Sequence, residues 1–325
     1  MDSDQKFSVE QKKHVIFLLL PQVQLLDLGG PAQVFYTAAR LGAPYKLSFC
    51  ASQEHVNSAQ GLMLGGLQPP GALPPANLLL IPGISSENEL LSRPLLDDDI
   101  YRWLQQINAA GTPIASVCTG AFALGEAGVL DGRRCTTHWF DIDLLKERYP
   151  TAQVLDNVLF VVDGQVTTSA GIASGIDMAL WLVEQDMGPL FAAQVARYLV
   201  VYVRRNGSQP QHSIYLDYRT HLNTGVHHAQ DFIITHVTER ISLEEIGQAA
   251  RLATRSLSRA FKEATGLTPI QYQQYLRLAL AQSLLANPRL NVGEVAEKCG
   301  FEDVRHFRRL WKAHYGTSPS AERHL

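Results

Sequence analysis

Two stretches near the C-terminus repeat one another. "ISLEEIGQAARLATRSLSRAFKEATGLTPIQY" begins at Ile241 and "LNVGEVAEKCGFEDVRHFRRLWKAHYGTSPSAE" at Leu290. Ile246 matches Val295, Ala250 matches Cys299 and Leu252 matches Phe301, each pair 49 residues apart. After one inserted residue the offset becomes 50, pairing Leu257 with Phe307, Arg259 with Arg309, Phe261 with Trp311, Gly266 with Gly316 and Pro269 with Pro319. A pattern kept in register over that length means one supersecondary unit built twice.

Each copy reads as two helices around a tight turn. Ser242 with Glu245, and Asn291 with Glu294, have the spacing of a helix N-cap and the carboxylate that returns to it. A short helix follows, then a turn, then a second helix starting at Thr254 or Asp303 and closed by Gly266 or Gly316. Leu257, Ala260, Phe261 and Ala264 share one face of the first of these second helices; Phe307, Leu310, Trp311 and His314 share the other's. The remaining faces carry Arg255, Ser258, Arg259 and Lys262, then Arg305, His306, Arg308, Arg309 and Lys312. A short helix, a turn and a basic second helix make a helix-turn-helix, whose second helix enters the DNA major groove. A helix over 270–287 joins the copies and would hold both on one rigid body, with adjacent major grooves ~34 Å apart. A bundle with solvated arginines is the plainer reading of one such helix; two in register favour double-stranded DNA as the partner. Charge agrees: residues 226–325 carry a net +3 and residues 1–225 a net −6.

Residues 226–325 resemble the AraC/XylS family of transcriptional regulators, on "LSRAFKEATGLTP" and "GFEDVRHFRRLWKAHYGTSP". The resemblance implies that Arg255, Ser258, Arg259, Arg305, His306, Arg308 and Arg309 meet bases or phosphates. Cys299 departs from it, standing where a small residue is usual.

The preceding two thirds alternate apolar runs with helical stretches. "HVIFLLL", "YKLSFCA", "NLLLIPG", "PIASV", "VLFVVD" and "QVTTSA" read as strands, and "LDDDI" (96–100) as a helix start with favourable carboxylates. Val-, Ile- and Leu-rich strands separated by helices predict a mostly parallel sheet covered on both faces. The expected fold is thus an α/β sandwich over 1–203, a connection over 204–225, and an all-α domain with two helix-turn-helix motifs over 226–325. Tyr215, Leu216 and Tyr218 in the connection are candidates to dock on either domain.

In "SVCTGAFALG" (116–125), Cys118 follows a strand and opens a helix, as a nucleophile elbow does. The helix N-terminus is expected to favour its thiolate. Ligands of open α/β sheets bind beyond the carboxyl ends of the strands. That brings "LLDLGGP" (25–31), "PGISSEN" (82–88) and "CTG" (118–120) to one pocket. Asp27 is placed either to hydrogen-bond the thiol or to cap a helix starting near Pro31. His138 either approaches from "TTHW" or is a hydrogen-bonded structural histidine.

Residues 14–190 resemble the PfpI-type branch of the class I glutamine amidotransferase-like fold, on "LLDLGGPAQVF", "LLLIPG", "SVCTGAFALGEAGVLDGRRCTTHW" and "TTSAGIASGIDMAL". Isonitrile hydratases of that branch pair an acidic residue after the first strand with an elbow Cys-Thr, and Asp27, Cys118 and Thr119 stand at those positions. Thr119 replaces the histidine of some relatives' Cys-His pair, and Ile84 replaces a glycine often found at the oxyanion site. A domain of this kind ahead of an AraC-type tail is similar to the GlxA-like AraC regulators.

These readings together lead to a sequence-specific DNA-binding regulator rather than an enzyme. Its small-metabolite effector, nitrogen-containing by family analogy, is expected near Asp27, Gly83, Cys118, Thr119 and His138. A homodimer through the α/β domain and, for an activator, contact with RNA polymerase follow from the same analogy. The alternative is a cysteine-dependent hydratase or hydrolase using Cys118, Asp27 and Thr119, with the DNA-binding part as an accessory. Neither a cofactor nor a metal is called for: Cys50, Cys118, Cys135 and Cys299 lack ligand spacing, and the adjacent His227 and His228 face different sides of a helix. "VIFLLL" is too short to span a membrane and no cleavage site follows it, so a cytoplasmic location is expected.

Overall fold

The computed structural model describes residues 12–86, 91, 93–171, 173–201, 205–207, 211, 217–285, 287 and 289–321. The chain divides into two compact units, residues 1–211 and 212–325.

The first unit runs β1 (Lys13–Leu18), α1 (Leu25–Arg40), β2 (Tyr45–Cys50), a hairpin of β3 (His55–Asn57) and β4 (Met63–Gly65), β5 (Leu78–Ile81), α2 (Asp98–Ala109), β6 (Ile114–Val117), α3 (Gly120–Glu126), β7 (Arg134–Cys135), α4 (Ile142–Arg148), β8 (Gln153–Val154), β9 (Phe160–Asp163), β10 (Val166–Ser169), α5 (Ala173–Met187) and α6 (Pro189–Tyr198). Six strands form one sheet in the order β2-β1-β5-β6-β10-β9. Every pairing is parallel except that of β10 with the edge strand β9. These are the six strands read from the sequence, and the α/β fold is as expected. β5 (LLLI) and β6 (IASV) are buried at every residue, as central parallel strands covered on both faces must be. α1, α5 and α6 pack on one face around Phe17, Val34, Phe35 and Met178. α2, α3 and α4 pack on the other around Ile16, Ile81, Leu104 and Phe122. Asp97 caps α2, accepting from the backbone N–H groups of Asp99 and Ile100.

α1 departs from expectation. It starts at Leu25 rather than near Pro31, so Asp27 lies in its first turn and caps nothing; Gln24 holds the cap position. Gly29, Gly30 and Pro31 are poor helix formers, and packing overrides them. A Cβ on Gly30 would stand 2.8 Å from Ile176 Cγ1, and one on Gly175 would stand 2.8 Å from Val117 Cγ1. Gly30 lets α1 pack closely on α5, and Gly175 lets α5 pack closely on β6.

The second unit holds α7 (Thr224–Thr235), α8 (Leu243–Ala250), α9 (Thr254–Thr265), α10 (Pro269–Leu285), α11 (Val292–Lys298) and α12 (Val304–Tyr315). Both capping boxes form, Ser242 with Glu245 and Asn291 with Glu294. Gly266 and Gly316 close α9 and α12 at φ +74° and +76°, where a side chain would be strained. α10 serves two cores. Tyr272 and Leu276 pack with α7, α8 and α9, while Leu278, Ala281 and Leu285 pack with α11 and α12. A helix apolar on several sides is what such shared burial requires.

The span 204–225 contributes to both units. The Gly207 carbonyl accepts from the Leu159 and Phe160 N–H groups beside the edge strand β9, and Arg205 pairs with the buried Asp177 at 2.8 Å. Tyr218 belongs to the second unit, edge-on to Tyr272 at 5.9 Å with its carbonyl accepting from Gln230 Nε2. Tyr215 and Leu216 lie outside the described residues.

Candidate functional site

The carboxyl ends of β1, β5 and β6 lead into three segments that meet. Gln24 N–H donates to the Gly83 carbonyl at 2.8 Å, tying the loop after β1 to the loop after β5. Cys118 follows β6 at φ +56°, a left-handed conformation that a non-glycine residue adopts only under constraint. Its N–H donates to the Ser169 carbonyl at 2.9 Å, and its carbonyl accepts from Thr137 Oγ1 at 2.8 Å. The elbow is therefore formed and held from both sides.

Gly83 makes room for what stands behind it. A Cβ there would overlap the Asp27 carboxylate and lie 2.8 Å from Cys118 Cβ and 3.1 Å from Thr119 Oγ1. Asp27 and Thr119 are fully buried and Cys118 is nearly so. Asp27 hydrogen-bonds the thiol, the first of its two expected roles. Thr119 Oγ1 donates to the Ile84 carbonyl and accepts from the Ile84 N–H, both at 2.7 Å. The Ile84 backbone N–H is thus consumed inside the protein.

The thiol is not the one the helix N-terminus led us to expect. Burial pushes its pKa well above the usual 9.0, and the Asp27 carboxylate beside it pushes further in the same direction. The Thr119 N–H pulls it down and does not prevail, while Asp141 adds a second upward push. α3 has only seven residues, so its N-terminal charge is a weak opponent for two carboxylates and desolvation. Cys118 is held as a thiol. Asp141 is itself buried, which raises its own pKa to about 6.

Gly171 packs against the other side of Cys118, with a cavity beyond it. A Cβ on Gly171, at φ +124°, would touch Cys118 Cβ and Sγ at 2.9 and 3.0 Å. Gly171 also lines a cavity of about 180 Å³ with His138, Trp139, Ser174, Arg205 and Gln211. His138 caps a short 3₁₀ turn, its Nδ1 accepting weakly from Phe140 N–H at 3.4 Å. Gln211 Nε2 donates to the Thr137 carbonyl at 3.0 Å. Of the five pocket residues expected from sequence, His138 lines this cavity, Cys118 borders it through Gly171, and Asp27, Gly83 and Thr119 form the wall behind the sulfur. Sequence reasoning missed Asp141, Gly171, Arg205 and Gln211. Gly171 stood in the quoted "TTSAG", but Arg205 and Gln211 lay in a stretch read as connection.

In the second unit, Arg255, Arg259 and Lys262 are exposed along α9, opposite the fully buried Leu257 and Phe261. Ser258 is partly turned to its own helix, its hydroxyl donating to the Thr254 carbonyl at 2.9 Å. On α12, Arg305, Arg308, Arg309 and Lys312 are exposed opposite the buried Phe307 and Trp311. Arg309 reaches His306 Nδ1 at 3.0 Å. His314, expected on the apolar face, is exposed, its ring tilted against Tyr275 with centroids 4.6 Å apart.

Residues 13–185 match the DJ-1/PfpI family. The chain belongs to that family. Residues 246–324 match a helix-turn-helix domain, so a DJ-1/PfpI domain precedes an AraC-type helix-turn-helix domain, as both resemblances implied. The chain is 32% identical over 225 residues to the HTH-type transcriptional regulator CdhR of Pseudomonas aeruginosa, covering 69% of this chain and 66% of CdhR. It therefore aligns with just under two thirds of that relative's length. With the HTH-type transcriptional regulator ArgR of the same organism it is 27% identical, over 96% of this chain and 93% of ArgR. The isonitrile hydratase of Pseudomonas putida is 36% identical, over 53% of this chain and 71% of the hydratase. Among the described residues no helix is long and apolar enough to cross a membrane.

Proposed function

We propose that this DJ-1/PfpI protein is a sequence-specific DNA-binding transcriptional regulator, with the paired helix-turn-helix unit as reader and the cavity beside Cys118 as the seat of a small effector. The observation that carries the reading is the pair of basic stripes, each on a second helix whose opposite face is locked into its own core. Arg255, Ser258, Arg259, Arg305, His306, Arg308 and Arg309 are the residues assigned to DNA, and the regulator names borne by the relatives support the assignment.

The first unit acts by binding, not turnover. A protonated thiol is a poor nucleophile, and an oxyanion formed beside it would find the Ile84 N–H already taken. His138, Arg205 and Gln211 offer hydrogen-bonding groups to an effector, nitrogen-containing by family analogy, while Asp27, Gly83 and Thr119 fix the wall. Arg205 and Gln211 belong to the chain's path out of the first unit, so an effector that draws on them biases that path. This is the differential contact that coupling between two sites requires. Homodimerisation through the α/β domain, a cytoplasmic location and activation through RNA polymerase complete the reading by family analogy.

The test enriches genomic fragments with the full-length chain and titrates the winners by mobility shift. Binding to an enriched fragment but not to a scrambled duplex, lost on replacing Arg259 or Arg309, is the expected result. Failure to enrich any fragment refutes the proposal. Conversion of an isonitrile, abolished in Cys118→Ser, would instead favour the hydratase.

A further inference from the structure

The two helix-turn-helix modules are joined by more than a shared helix. Arg277, at the middle of α10, is half-buried and points its guanidinium between them. Its Nε donates to the Val237 carbonyl and one terminal nitrogen to the Glu239 carbonyl, both at 2.7 Å and both in the turn after α7. The other terminal nitrogen donates to the Gly300 carbonyl, also at 2.7 Å, in the turn after α11. The first two carbonyls lie in the turn that leads from α7 into the first module, and the third lies in the turn inside the second. The guanidinium also stands 5.8 Å from the centre of the Phe301 ring. One turn back along α10, the buried Gln273 donates to the Glu239 carbonyl at 2.9 Å.

The same seam explains a difference between the repeats. Gly300, at φ +79°, corresponds to Arg251, at φ +55°. A Cβ on Gly300 would run into the Thr238 backbone of the first module, whereas Arg251 is exposed. The second module therefore needs glycine where the first accepts a side chain. The exposed pair Arg240–Glu302, 3.7 Å apart, crosses the seam too but is worth little in water.

We infer that Arg277 is a positioning residue for DNA recognition, a clamp that fixes the spacing and rotation of the two recognition helices by tying the turn that leads from α7 into the first module to the turn inside the second. This rests on the DNA-binding reading above. Arg277 touches no base in this role. A guanidinium with its donors in a rigid fork can bridge three carbonyls from two directions, and a lysine ammonium on a flexible stem cannot hold them in one plane. The clamp therefore sets which separations of two half-motifs the chain accepts, not which bases each module prefers.

The experiment selects duplexes from a randomised DNA pool with the full-length wild-type chain, Arg277→Lys, Arg277→Met and Gly300→Ala. The best wild-type duplex is then rebuilt with two base pairs inserted between its half-motifs. With ~10.5 base pairs per turn, that insertion rotates one half-motif by about 70°. The wild-type chain is expected to select one separation and to lose about 100-fold in affinity on the insertion, since one module leaves its bases. Arg277→Lys, which keeps the charge and most of the buried stem, is expected to select the same bases at several separations and to lose about tenfold or less. Arg277→Met and Gly300→Ala approach the same seam from its two sides and are expected to do likewise. A weakening of the fold alone lowers affinity for both duplexes equally and leaves their ratio unchanged. Wild-type discrimination retained by folded Arg277→Lys overturns the clamp while leaving DNA binding intact. Selection of no duplex by the wild-type chain removes the DNA-binding reading itself.

Discussion

The two units treat their charged residues in opposite ways. In the helical unit the basic side chains of α9 and α12 stand in water, and only their positions are fixed, by Leu257 and Phe261 or Phe307 and Trp311 behind them. In the α/β unit the two carboxylates that act on Cys118 are sealed inside, at 0% exposure for Asp27 and 2% for Asp141. A solvated charge keeps its ordinary chemistry and is available to a partner. A buried one changes the chemistry of its neighbours. The same comparison separates the two units: a surface that leaves its charges open to a partner and an interior whose carboxylates push a thiol's pKa upward.

The contrast is most sharply broken at Gly83, where an added side chain meets Asp27, Cys118 and Thr119 together. Gly83→Val is expected to destabilise the first unit by about 3 kcal/mol, the upper part of the usual overpacking range, read as a lowered denaturant midpoint. An unaltered midpoint would mean that the wall behind the sulfur is looser than described. On the exposed side, Arg259→Ala or Arg309→Ala is expected to cost ~1–3 kcal/mol of specific binding where the arginine reads a base. Melting should hardly change, because exposed substitutions usually stay within about 0.5 kcal/mol. A phosphate contact would instead weaken all duplexes alike and flatten the salt dependence.

Smaller effects sharpen the comparison inside the α/β unit. Cys118 should alkylate at least about tenfold more slowly than a free thiol at pH 7.5, with a rate still climbing above pH 9. Asp27→Asn should move that rise to lower pH. A plateau below pH 8, followed by mass spectrometry of the Cys118 peptide, would show a thiolate and reverse the binding-only reading. Burial raises the Asp141 pKa from an ordinary 3.8 to about 6, so folding favours its protonated form. The stabilisation from this preference is fully present below pH 3.8 and is lost as pH rises through 6. Asp141→Asn, neutral at every pH, should gain on the wild type between pH 4 and 7 and melt roughly a few degrees higher at pH 8. Parallel melting curves across that range would show that Asp141 is solvated.

What the sequence made legible was local. The capping boxes at Ser242 and Asn291, the glycines after α9 and α12, the apolar strands and the strand-to-helix cysteine each rest on a few neighbouring residues. What it hid depends on residues far apart in the chain. α1 runs on through Gly29, Gly30 and Pro31 against their local signal, with Ile176 of α5 packed against Gly30. The upward shift of Cys118 comes first from the depth of its burial and then from Asp27, ninety-one positions earlier. The cavity beside Cys118 draws Arg205 and Gln211 from a stretch whose polar, turn-rich composition reads as a connection. The acceptors of Arg277 are backbone carbonyls, which no side-chain pattern announces.

Gly300 and Arg251 occupy equivalent places in what began as one pattern written twice, yet they are no longer exchangeable. A chimera assembled from two copies of the earlier half would carry an arginine into the Thr238 main chain, and its halves would be pushed apart at the joint. The repeat is symmetric in pattern, and the bare backbone at Gly300 gives the pair a left and a right.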